Sequence, residues 1–305
     1  MFVLQLAMIK QSKLVVIVGP TSSGKSDLAV RLSEKFNGEA VSADSRQVYR
    51  GMDIGTGKIT KKETRGIPHY LLDVASPKKR FTVSQYRKLA LGVIERIQKK
   101  NKVPFLVGGT GFYIRAVVDG MVIPEVPPDW KLREKLEKQP AEELFKMLKK
   151  LDPRRAKNID SRNKRRLIRA LEIITKTKKP VPVFKTRPLP YPVLIIGIKQ
   201  KKEELNRLIK KRLLKRLKKG LVAEVKRLKK LPLSWKRLEG FGLEYRYVAR
   251  YLRGELAYKE MIGQLNKEIE HYAKRQMTWF KKDERIKWIE NYRQAEKLTK
   301  EFLRK

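Results

Sequence analysis

The sequence predicts an α/β fold: a parallel sheet flanked by helices, with a small all-helical domain inserted into it. Three observations lead to this prediction. Short β-branched apolar runs alternate with segments of helical periodicity, as strands and helices do in this class. The first of these runs leads directly into a glycine-rich loop. A stretch at 122–190 contains no good strand pattern and has proline clusters at both ends.

The most informative segment is the loop at 19–26, which connects an apolar strand predicted at 14–18 to a helix predicted at 24–36. Its sequence fits G-x-x-x-x-G-K-[ST], in which backbone N–H groups and a helix N-terminus cradle a polyphosphate. In this pattern the lysine reaches the terminal phosphates and the last hydroxyl, that of Ser26, binds Mg²⁺. The sheet is therefore predicted to be like that of P-loop NTPases, although the motif does not say which polyphosphate binds. The loop residues are Gly19, Pro20, Thr21, Ser22, Ser23, Gly24, Lys25 and Ser26.

Four further apolar runs predict the rest of the sheet. Strands of a parallel sheet are apolar along their whole length because helices cover both faces. One predicted helix, at 84–100, has apolar residues along one side, which favours such a covering role. The four runs lie at 39–42, 70–74, 103–107 and 191–198.

The remaining segments are predicted to be helical. The stretch at 122–190 has helical patterns near 129–138, 141–150 and 161–176. We expect it to form a small domain, inserted into a core made of 1–121 and 191–305. After the fifth strand, a stripe of leucines predicts a helix over 199–231, and the spacing from 257 to 305 is also helical.

The charge of the chain indicates a polyanionic partner. There are 74 Lys and Arg residues against 32 Asp and Glu, which gives a net charge of +42. Such an excess predicts a strong, salt-dependent attraction to nucleic acid or, as a second candidate, to an anionic membrane. The surface of a thermophilic protein usually balances lysine with glutamate, and this chain does not. The charge therefore favours nucleic acid.

The composition also excludes several classes. There is no cysteine, which rules out disulfides, thiol catalysis and cysteine-based zinc sites. The two histidines, at 69 and 271, are far apart in the sequence, and we expect a structural role for both. No apolar run approaches the length of a membrane span, and the N-terminus lacks the features of a signal peptide. The expectation is a cytoplasmic protein with no membrane partner, and a monomer.

Two loops after predicted strands carry candidate catalytic residues. Asp44 follows the second strand, and a glycine-rich turn containing Thr110 follows the fourth. Ligands of open parallel sheets gather at the carboxyl ends of the strands, so Asp44 is expected near the phosphate loop. Its carboxylate could be an outer-shell ligand of Mg²⁺, a base for an incoming nucleophile, or the N-cap of a helix. The spacing alone does not distinguish these roles. The glycine-rich turn alone is a weak signal.

Two helical segments combine cationic side chains with apolar ones. The segment at 163–172 brings several arginines close together on one helix surface, which suits RNA phosphates but also a solvated face. The segment at 272–280 mixes basic and aromatic residues, and we expect the aromatic rings to pack in the core. From these residues alone, an ATP-dependent kinase and a non-catalytic RNA-binding protein remain alternatives. The basic insert argues against the first and Asp44 against the second.

Taken together, six segments resemble the tRNA dimethylallyltransferases, also called the IPP transferase family. The resemblance runs from about residue 15 to 280, and the first two segments together are highly specific. It implies transfer of a dimethylallyl group from dimethylallyl diphosphate to N6 of the adenosine 3′-adjacent to the anticodon of a tRNA, with Mg²⁺ as cofactor. The segments are GPTSSGKS at 19–26, SADSRQVYRGMDIGTGK at 42–58, PHYLLD at 68–73, VGGTGFY at 107–113, NKRRLIRALE at 163–172 and YAKRQMTWF at 272–280.

The resemblance also implies residue roles. Asp44 would be the base for the adenine amine, Thr21 would contact the bridging oxygen of the diphosphate, and Arg212 would bind the diphosphate. The loop at 19–26 would hold that diphosphate, with Mg²⁺ on Ser26. The segment 237–246 departs from the family's usual spacing, so it stays open which of its two arginines contacts the anticodon loop. Whether ATP also binds stays open as well. The implied tRNA contacts are Asp44, Ser45, Arg46, Gln47, Thr110, Arg165, Arg166, Leu167, Ile168, Arg169, Arg237 and Arg246.

Overall fold

The computed structural model describes residues 12–121, 124, 126–183 and 186–305. Within these residues there are six strands and fourteen helices. The strands are β1 Leu14–Val18, β2 Gly38–Ser42, β3 His69–Tyr70, β4 Val103–Val107, β5 Val193–Ile198 and β6 Ile286–Ile289. The helices are α1 Lys25–Lys35, α2 Lys61–Thr64, α3 Val83–Lys99, α4 Gly111–Val118, α5 Trp130–Glu137, α6 Ala141–Leu151, α7 Pro153–Lys157, α8 Lys164–Thr177, α9 Lys202–Lys218, α10 Leu221–Lys230, α11 Trp235–Glu239, α12 Leu243–Leu252, α13 Tyr258–Phe280 and α14 Tyr292–Arg304.

The six strands form one sheet in the order β3-β2-β4-β1-β5-β6, and all neighbours run parallel. The predicted α/β class with a parallel sheet flanked by helices is therefore confirmed. All five residues of β1 are fully buried, because helices cover both faces of the sheet. Val16 packs with residues of α3 on one face, and Val15 packs with residues of α1 on the other. Each such side chain stabilises the fold by about 1.5–3 kcal/mol through burial.

The phosphate loop occupies a central position in this sheet. Chain order reverses at β1, since β2 and β4 lie on one side of it and β5 and β6 on the other. Loops that leave the carboxyl ends of the strands at such a reversal enclose a crevice. The loops after β1, β2 and β4 all leave from this edge of the sheet, so the topology brings the three motif-bearing loops together.

Several predicted elements differ from those observed. The third strand, predicted at 70–74, is only His69–Tyr70, because the chain turns through left-handed conformations at Leu71 and Asp73. The helix predicted over 199–231 is two helices, α9 and α10, which meet at Gly220. The segment from 257 to 305 is not wholly helical, since β6 lies within it and pairs with β5.

The chain divides into two compact units. The larger comprises the chain up to Gly120 together with Pro188–Lys305, and the smaller is Met121–Arg187. The described residues of the smaller unit form α5 to α8 and no strand, apart from an isolated antiparallel bridge between Met121 and Thr186. Its own core is built mainly from leucines and isoleucines of α6 and α8. The short α7, which the sequence did not predict, is capped by Asp152 and begins with proline.

We find no helix in the described part of the chain with the length and hydrophobicity needed to cross a lipid bilayer.

Candidate active site

The phosphate loop links β1 to α1 and folds around its own lysine. The Nζ of Lys25 donates to the carbonyl oxygen of Pro20 at 2.5 Å and approaches the Oγ of Ser23 at 3.5 Å. Burial of the ammonium group and the nearby Arg212 lower the pKa of Lys25 to about 7, while Asp44 acts in the opposite direction. The phosphate loop, Asp44 and Arg212 therefore lie within electrostatic reach of one another, as the sequence predicts for residues of one site.

Arg212 lies on α9 and reaches the loop that follows β2. Its Nη2 donates to the carbonyl oxygen of Gly57 at 3.2 Å. Burial and the neighbouring Arg216 lower the pKa of Arg212 to about 10, against the opposing influence of carboxylates that include Glu244 and Asp44. Arg216 itself forms an ion pair with Glu244 at 2.6 Å. Two crowded guanidinium groups and a lysine, of which Arg216 is paired with a carboxylate and Arg212 and Lys25 have lowered pKa values, favour the binding of an anion here.

Gly57 has a conformation and surroundings that require glycine. Its φ is +58°, and a Cβ on it would lie 1.9 Å from Nη2 of Arg216 and 2.3 Å from Nη2 of Arg212. The absence of a side chain therefore lets both guanidinium groups approach the backbone. Its loop is fixed by the buried Glu224, whose carboxylate accepts hydrogen bonds from the N–H groups of Asp53, Ile54 and Gly55 at 2.8–2.9 Å and from a tyrosine hydroxyl.

Asp44 lies in the loop directly after β2. Its Oδ1 accepts hydrogen bonds from the N–H groups of Arg46 at 2.8 Å and Gln47 at 3.4 Å. Both of these bonds use the same carboxylate oxygen, which leaves the other oxygen available for a ligand. The structural and catalytic interpretations of Asp44 are therefore compatible. Gln47 is bound internally, because its amide donates to the carbonyl oxygens of Thr56 and Gly57.

The glycine-rich turn after β4 packs against the Asp44 loop. The N–H of Ser45 donates to Oγ1 of Thr110 at 3.1 Å, and the N–H of Thr110 donates to the carbonyl oxygen of Ala43 at 3.3 Å. A Cβ on Gly108 would lie 2.2 Å from that same carbonyl oxygen, so the approach depends on glycine. The turn therefore has a definite role beyond connecting a strand to a helix: it positions the residues beside Asp44.

A cleft of about 420 Å³ opens beside the phosphate loop. It is lined by the start of α1, by the loop that ends at residue 60 and by α9. Its walls include Ser26, three acidic residues (Asp27, Asp53 and Glu63) and a row of cations along α9 and at its C-terminal cap. These cations are Arg212, Lys215, Arg216 and Lys219.

The described residues of this site offer a metal ion oxygen ligands and no cluster of metal-binding side chains. Among the described residues, no group of three or more His, Asp or Glu side chains is placed to hold a metal ion. The Ser26 hydroxyl lies in the cleft at the start of α1. Mg²⁺ keeps several waters and takes phosphate oxygens as ligands, so one hydroxyl plus a bound diphosphate fits its chemistry.

The predicted tRNA contacts in the smaller unit have different surroundings. Arg165 and Arg166 are exposed on α8. The side chains of Leu167 and Ile168 are buried in the core of that unit, so they do not present a surface to a ligand. Arg169 is held internally: it pairs with Glu172 at 2.5 Å and donates to the backbone carbonyl oxygens of residues 124 and 126.

The two arginines left open by the sequence also differ. Arg237 donates to the carbonyl oxygens of Pro77 and Lys79, and its guanidinium lies 4.4 Å from the ring centre of Phe241. This arginine therefore ties α11 to a loop of the larger unit. Arg246 lies half-buried on α12. Within the described residues, side-chain hydrogen bonds to the backbone are seen for Arg237 and not for Arg246.

Sequence reasoning missed the role of α13 at the site. Gln276 accepts a hydrogen bond from the N–H of Thr21 and donates to the carbonyl oxygen of Gly109, both at 2.8 Å. Phe280 is buried as expected, but Tyr272 and Trp279 remain 38% and 37% exposed, so the expectation that all aromatic rings of this segment pack in the core is wrong. The motif YAKRQMTWF indicated that this segment matters, but the sequence alone does not predict that Gln276 contacts Thr21 and Gly109.

The expected structural roles of the histidines agree with the local contacts. His69 is half-buried, and its Nδ1 lies 2.8 Å from the carbonyl oxygen of Ile67. His271 is exposed beside Glu268. Neither belongs to a group of potential metal ligands among the described residues.

Comparisons with known proteins identify the family of this chain. A family model described as IPP transferase matches residues 47–283. The tRNA dimethylallyltransferase of Acetivibrio thermocellus is 41% identical over 283 residues, covering 90% of each chain, and that of Pelotomaculum thermopropionicum is 40% identical, covering 97% of this chain and 96% of the other.

Solved structures are similar over comparable lengths. The full-length tRNA isopentenylpyrophosphate transferase of Bacillus halodurans is 35% identical, with a TM-score of 0.72 and 96% of each chain covered. A eukaryotic dimethylallyltransferase described as acting on tRNA is 28% identical, with a TM-score of 0.76; the match covers 88% of this chain and 70% of the other.

Proposed function

Because this chain belongs to the IPP transferase family, we propose that it is a tRNA dimethylallyltransferase. It transfers the dimethylallyl group of dimethylallyl diphosphate to N6 of the adenosine 3′-adjacent to the anticodon. The products are N6-(dimethylallyl)adenosine and diphosphate. The observation that carries the proposal is the cluster of Lys25, Arg212 and Asp44, which joins an anion-binding loop to a carboxylate in a protein with a charge of +42.

The donor diphosphate lies on the loop 19–26 in this proposal. Its negative charge offsets the crowding of cations at this site: burial and Arg212 lower the pKa of Lys25, and burial and Arg216 lower the pKa of Arg212. The hydroxyl of Thr21 contacts the oxygen that bridges the dimethylallyl carbon to phosphorus. Donors that face the charge developing on a leaving group lower the barrier, since they need no reorganisation during the reaction.

Mg²⁺ fits the same site through the Ser26 hydroxyl and the phosphate oxygens. When bound, the ion supplies charge neutralisation to the leaving diphosphate. The protein groups that act beside it are the loop N–H groups, Lys25 and Arg212.

Asp44 serves as the general base. The N6 amine of adenine is a weak nucleophile because its lone pair is delocalised into the ring. As the C–O bond of the donor breaks and the C–N bond forms, one amine proton passes to the Asp44 carboxylate and diphosphate leaves. The bonds from Arg46 and Gln47 to Oδ1 hold the carboxylate in a fixed orientation while its other oxygen takes the proton. Such general-base assistance contributes about 10²- to 10⁴-fold to a rate.

The tRNA binds through phosphate contacts and an extruded base. Removing a base from a folded loop costs a few kcal/mol, which contacts between cationic side chains and phosphates offset. We propose that the segment 122–190 is an inserted tRNA-contacting domain, in which Arg165 and Arg166 supply exposed cations. In the larger unit, Asp44 to Gln47, Thr110 and Arg246 face the anticodon loop. We propose that the protein is a monomer and that it acts in the cytoplasm, where its tRNA substrate is found.

The test is a reaction of the protein with Mg²⁺, dimethylallyl diphosphate and an anticodon stem-loop that carries adenosine 3′ of the anticodon. We expect the RNA to gain the mass of one dimethylallyl group. A matched stem-loop with guanosine at that position should gain nothing. Equal modification of both RNAs would contradict the proposed acceptor, and no modification of either would contradict the activity.

A further inference from the structure

The side chain of Gln276 on α13 joins two loops of the candidate active site. It is only 6% exposed, and both ends of its amide are used. Oε1 accepts a hydrogen bond from the N–H of Thr21, and Nε2 donates to the carbonyl oxygen of Gly109, each at 2.8 Å. A primary amide is suited to this position because it carries an acceptor and a donor on one planar group.

These two loops belong to opposite sides of the proposed reaction. Thr21 lies in the phosphate loop, on the donor side. Gly109 precedes Thr110, whose Oγ1 accepts the N–H of Ser45, the residue after the proposed base Asp44. A continuous series of hydrogen bonds therefore runs from Thr21 through Gln276 and the glycine-rich turn to the base-bearing loop. In that series Gln276 is the side chain that connects the donor side to the base side.

Close packing of α13 on the turn fixes this connection. A Cβ on Gly109 would lie 2.3 Å from Nε2 of Gln276. Three residues further along the same helix face, Trp279 lies directly on Gly111, where a Cβ would be 2.1 Å from its Nε1. The amide and the indole therefore lie directly against the turn, and a side chain on either glycine would displace Gln276 or Trp279 from its position.

We propose that Gln276 is a positioning residue for the transfer step, which holds Thr21 at a fixed distance from Asp44. The inference rests on the proposed function and deepens it. Gln276 binds neither substrate in this view; it fixes the backbone that presents Thr21 to the bridging oxygen. A displacement of about 1 Å between reacting groups can lower a rate by about 10²-fold, so the effect belongs to the chemical step.

The first test compares Gln276→Met with Gln264→Met. The first variant keeps the side-chain volume of Gln276 and removes both hydrogen bonds, whereas Gln264 is exposed on the same helix and gives a matched control. We expect the single-turnover rate at saturating dimethylallyl diphosphate and stem-loop to fall about 10- to 100-fold for Gln276→Met only. The KM values for both substrates should change less than threefold.

A second variant separates positioning from general damage to the fold. In Gln276→Glu the carboxylate still accepts from the N–H of Thr21 but repels the carbonyl oxygen of Gly109, unless it is protonated. Burial next to a carbonyl oxygen raises the pKa of such a carboxyl. We therefore expect the ratio of the Gln276→Glu rate to the Gln276→Met rate to rise as the pH is lowered from 8 to 6.

The outcomes are distinguishable from failure of the proposed function. Wild-type protein that modifies the stem-loop, with Gln276→Met keeping its rate within threefold, overturns the inference and leaves the function standing. Raised KM values with an unchanged rate also overturn it, since they assign Gln276 to binding. If Gln276→Met fails to fold, a pH-independent rate for a folded Gln276→Glu overturns it. Inactive wild-type protein contradicts the proposed function itself.

Discussion

Two buried glutamates, one in each unit, are satisfied by different kinds of partner. In the larger unit, the carboxylate of Glu224 accepts hydrogen bonds from four neutral donors, three backbone N–H groups and a tyrosine hydroxyl. In the smaller unit, Glu172 accepts from Arg133 and Arg169 at 2.5–2.7 Å and from the N–H of Asp129 at 2.7 Å. Glu224 therefore orders a loop of the site, whereas Glu172 forms ion pairs with two arginines.

The pKa values of charged groups also differ between the phosphate-loop site and the network around Glu172. Beside the phosphate loop, burial and like charges lower the pKa of Lys25 to about 7 and that of Arg212 to about 10, so these cations are held in an unfavourable arrangement. In the smaller unit, burial alone would raise the pKa of Glu172, but its hydrogen bonds to Arg133, Arg169 and Asp129 outweigh burial and lower it. Cations that oppose one another indicate a site for an anion, whereas a satisfied network indicates a structural role.

The largest expected effect follows from changing the carboxylate within the cationic cluster. Asp44→Asn keeps an acceptor for the N–H groups of Arg46 and Gln47 but cannot take a proton. We expect the single-turnover rate to fall about 10²- to 10⁴-fold, as losses of a general base do. Affinity for the stem-loop, measured by filter binding, should change little. A rate within threefold of wild type would remove Asp44 as the base.

The next effect tests the satisfied network of the smaller unit. Glu172→Gln leaves two arginines without their carboxylate, and we expect it to destabilise that unit by about 3 kcal/mol. This is the low end for breaking a buried ion pair, because the arginine side chains keep 28% and 30% of their exposure. Hydrogen exchange of peptides from 126–183 measures the loss. Unchanged protection there would show that the network contributes nothing to stability.

The same network has a defined pH dependence. Because the pKa of Glu172 is lowered on folding, the unfolded state binds more protons in the window between the folded value and the usual value of about 4.3. Its contribution is therefore present above that window and is lost as the pH falls through the folded pKa. In Glu172→Gln this part of the acid dependence should disappear.

A smaller effect is expected at Gly57, beside the phosphate loop. In Gly57→Ala the new Cβ would overlap both guanidinium groups, which must move away from the diphosphate position. We expect kcat/KM for dimethylallyl diphosphate to fall about tenfold through lost positioning. Gly51→Ala is the matched control, because its φ is also positive, at +72°, but nothing lies within 4 Å of its Cβ. Equal losses for both variants would attribute the effect to backbone strain.

An effect of similar size, on binding and not on catalysis, is expected for exposed cations of the smaller unit. The double variant Arg165→Ala/Arg166→Ala should weaken tRNA binding about tenfold and reduce the slope of log K against log salt by about one to two, as two lost phosphate contacts do. It should leave hydrogen exchange unchanged, unlike Glu172→Gln. Lys149→Ala/Lys150→Ala removes the same charge from exposed positions of α6. An equal loss of affinity in this control would attribute the effect to net charge alone.

The sequence predicts the centre of the fold better than its edges. β1, β4 and α1 lie within a residue of their predicted bounds, because β1 is fully buried, β4 is buried at its centre and α1 follows a specific loop. β6 has only four residues in a lysine-rich segment, and its pairing with β5 far earlier in the chain is what makes it a strand. Local periodicity carries no information about such pairing.

The candidate site shows the same limit. The convergence of the phosphate loop and Asp44 is predicted because both follow the carboxyl ends of strands in a parallel sheet. Arg212 rests on a resemblance, and the contacts of Gln276 with Thr21 and Gly109 join residues distant in the chain. Sequence also does not separate an exposed arginine such as Arg166 from one bound to backbone carbonyl groups, such as Arg237.

The most direct test of the account offers the phosphate loop two donors in one reaction. Stem-loop RNA, Mg²⁺, dimethylallyl diphosphate and ATP are mixed with the protein at equal donor concentrations, and the RNA mass and ADP are measured together. We predict RNA that is heavier by one dimethylallyl group, with no ADP formed. ADP formation with RNA of unchanged mass would contradict the account, because the cationic cluster would then bind a nucleoside triphosphate as the reacting donor.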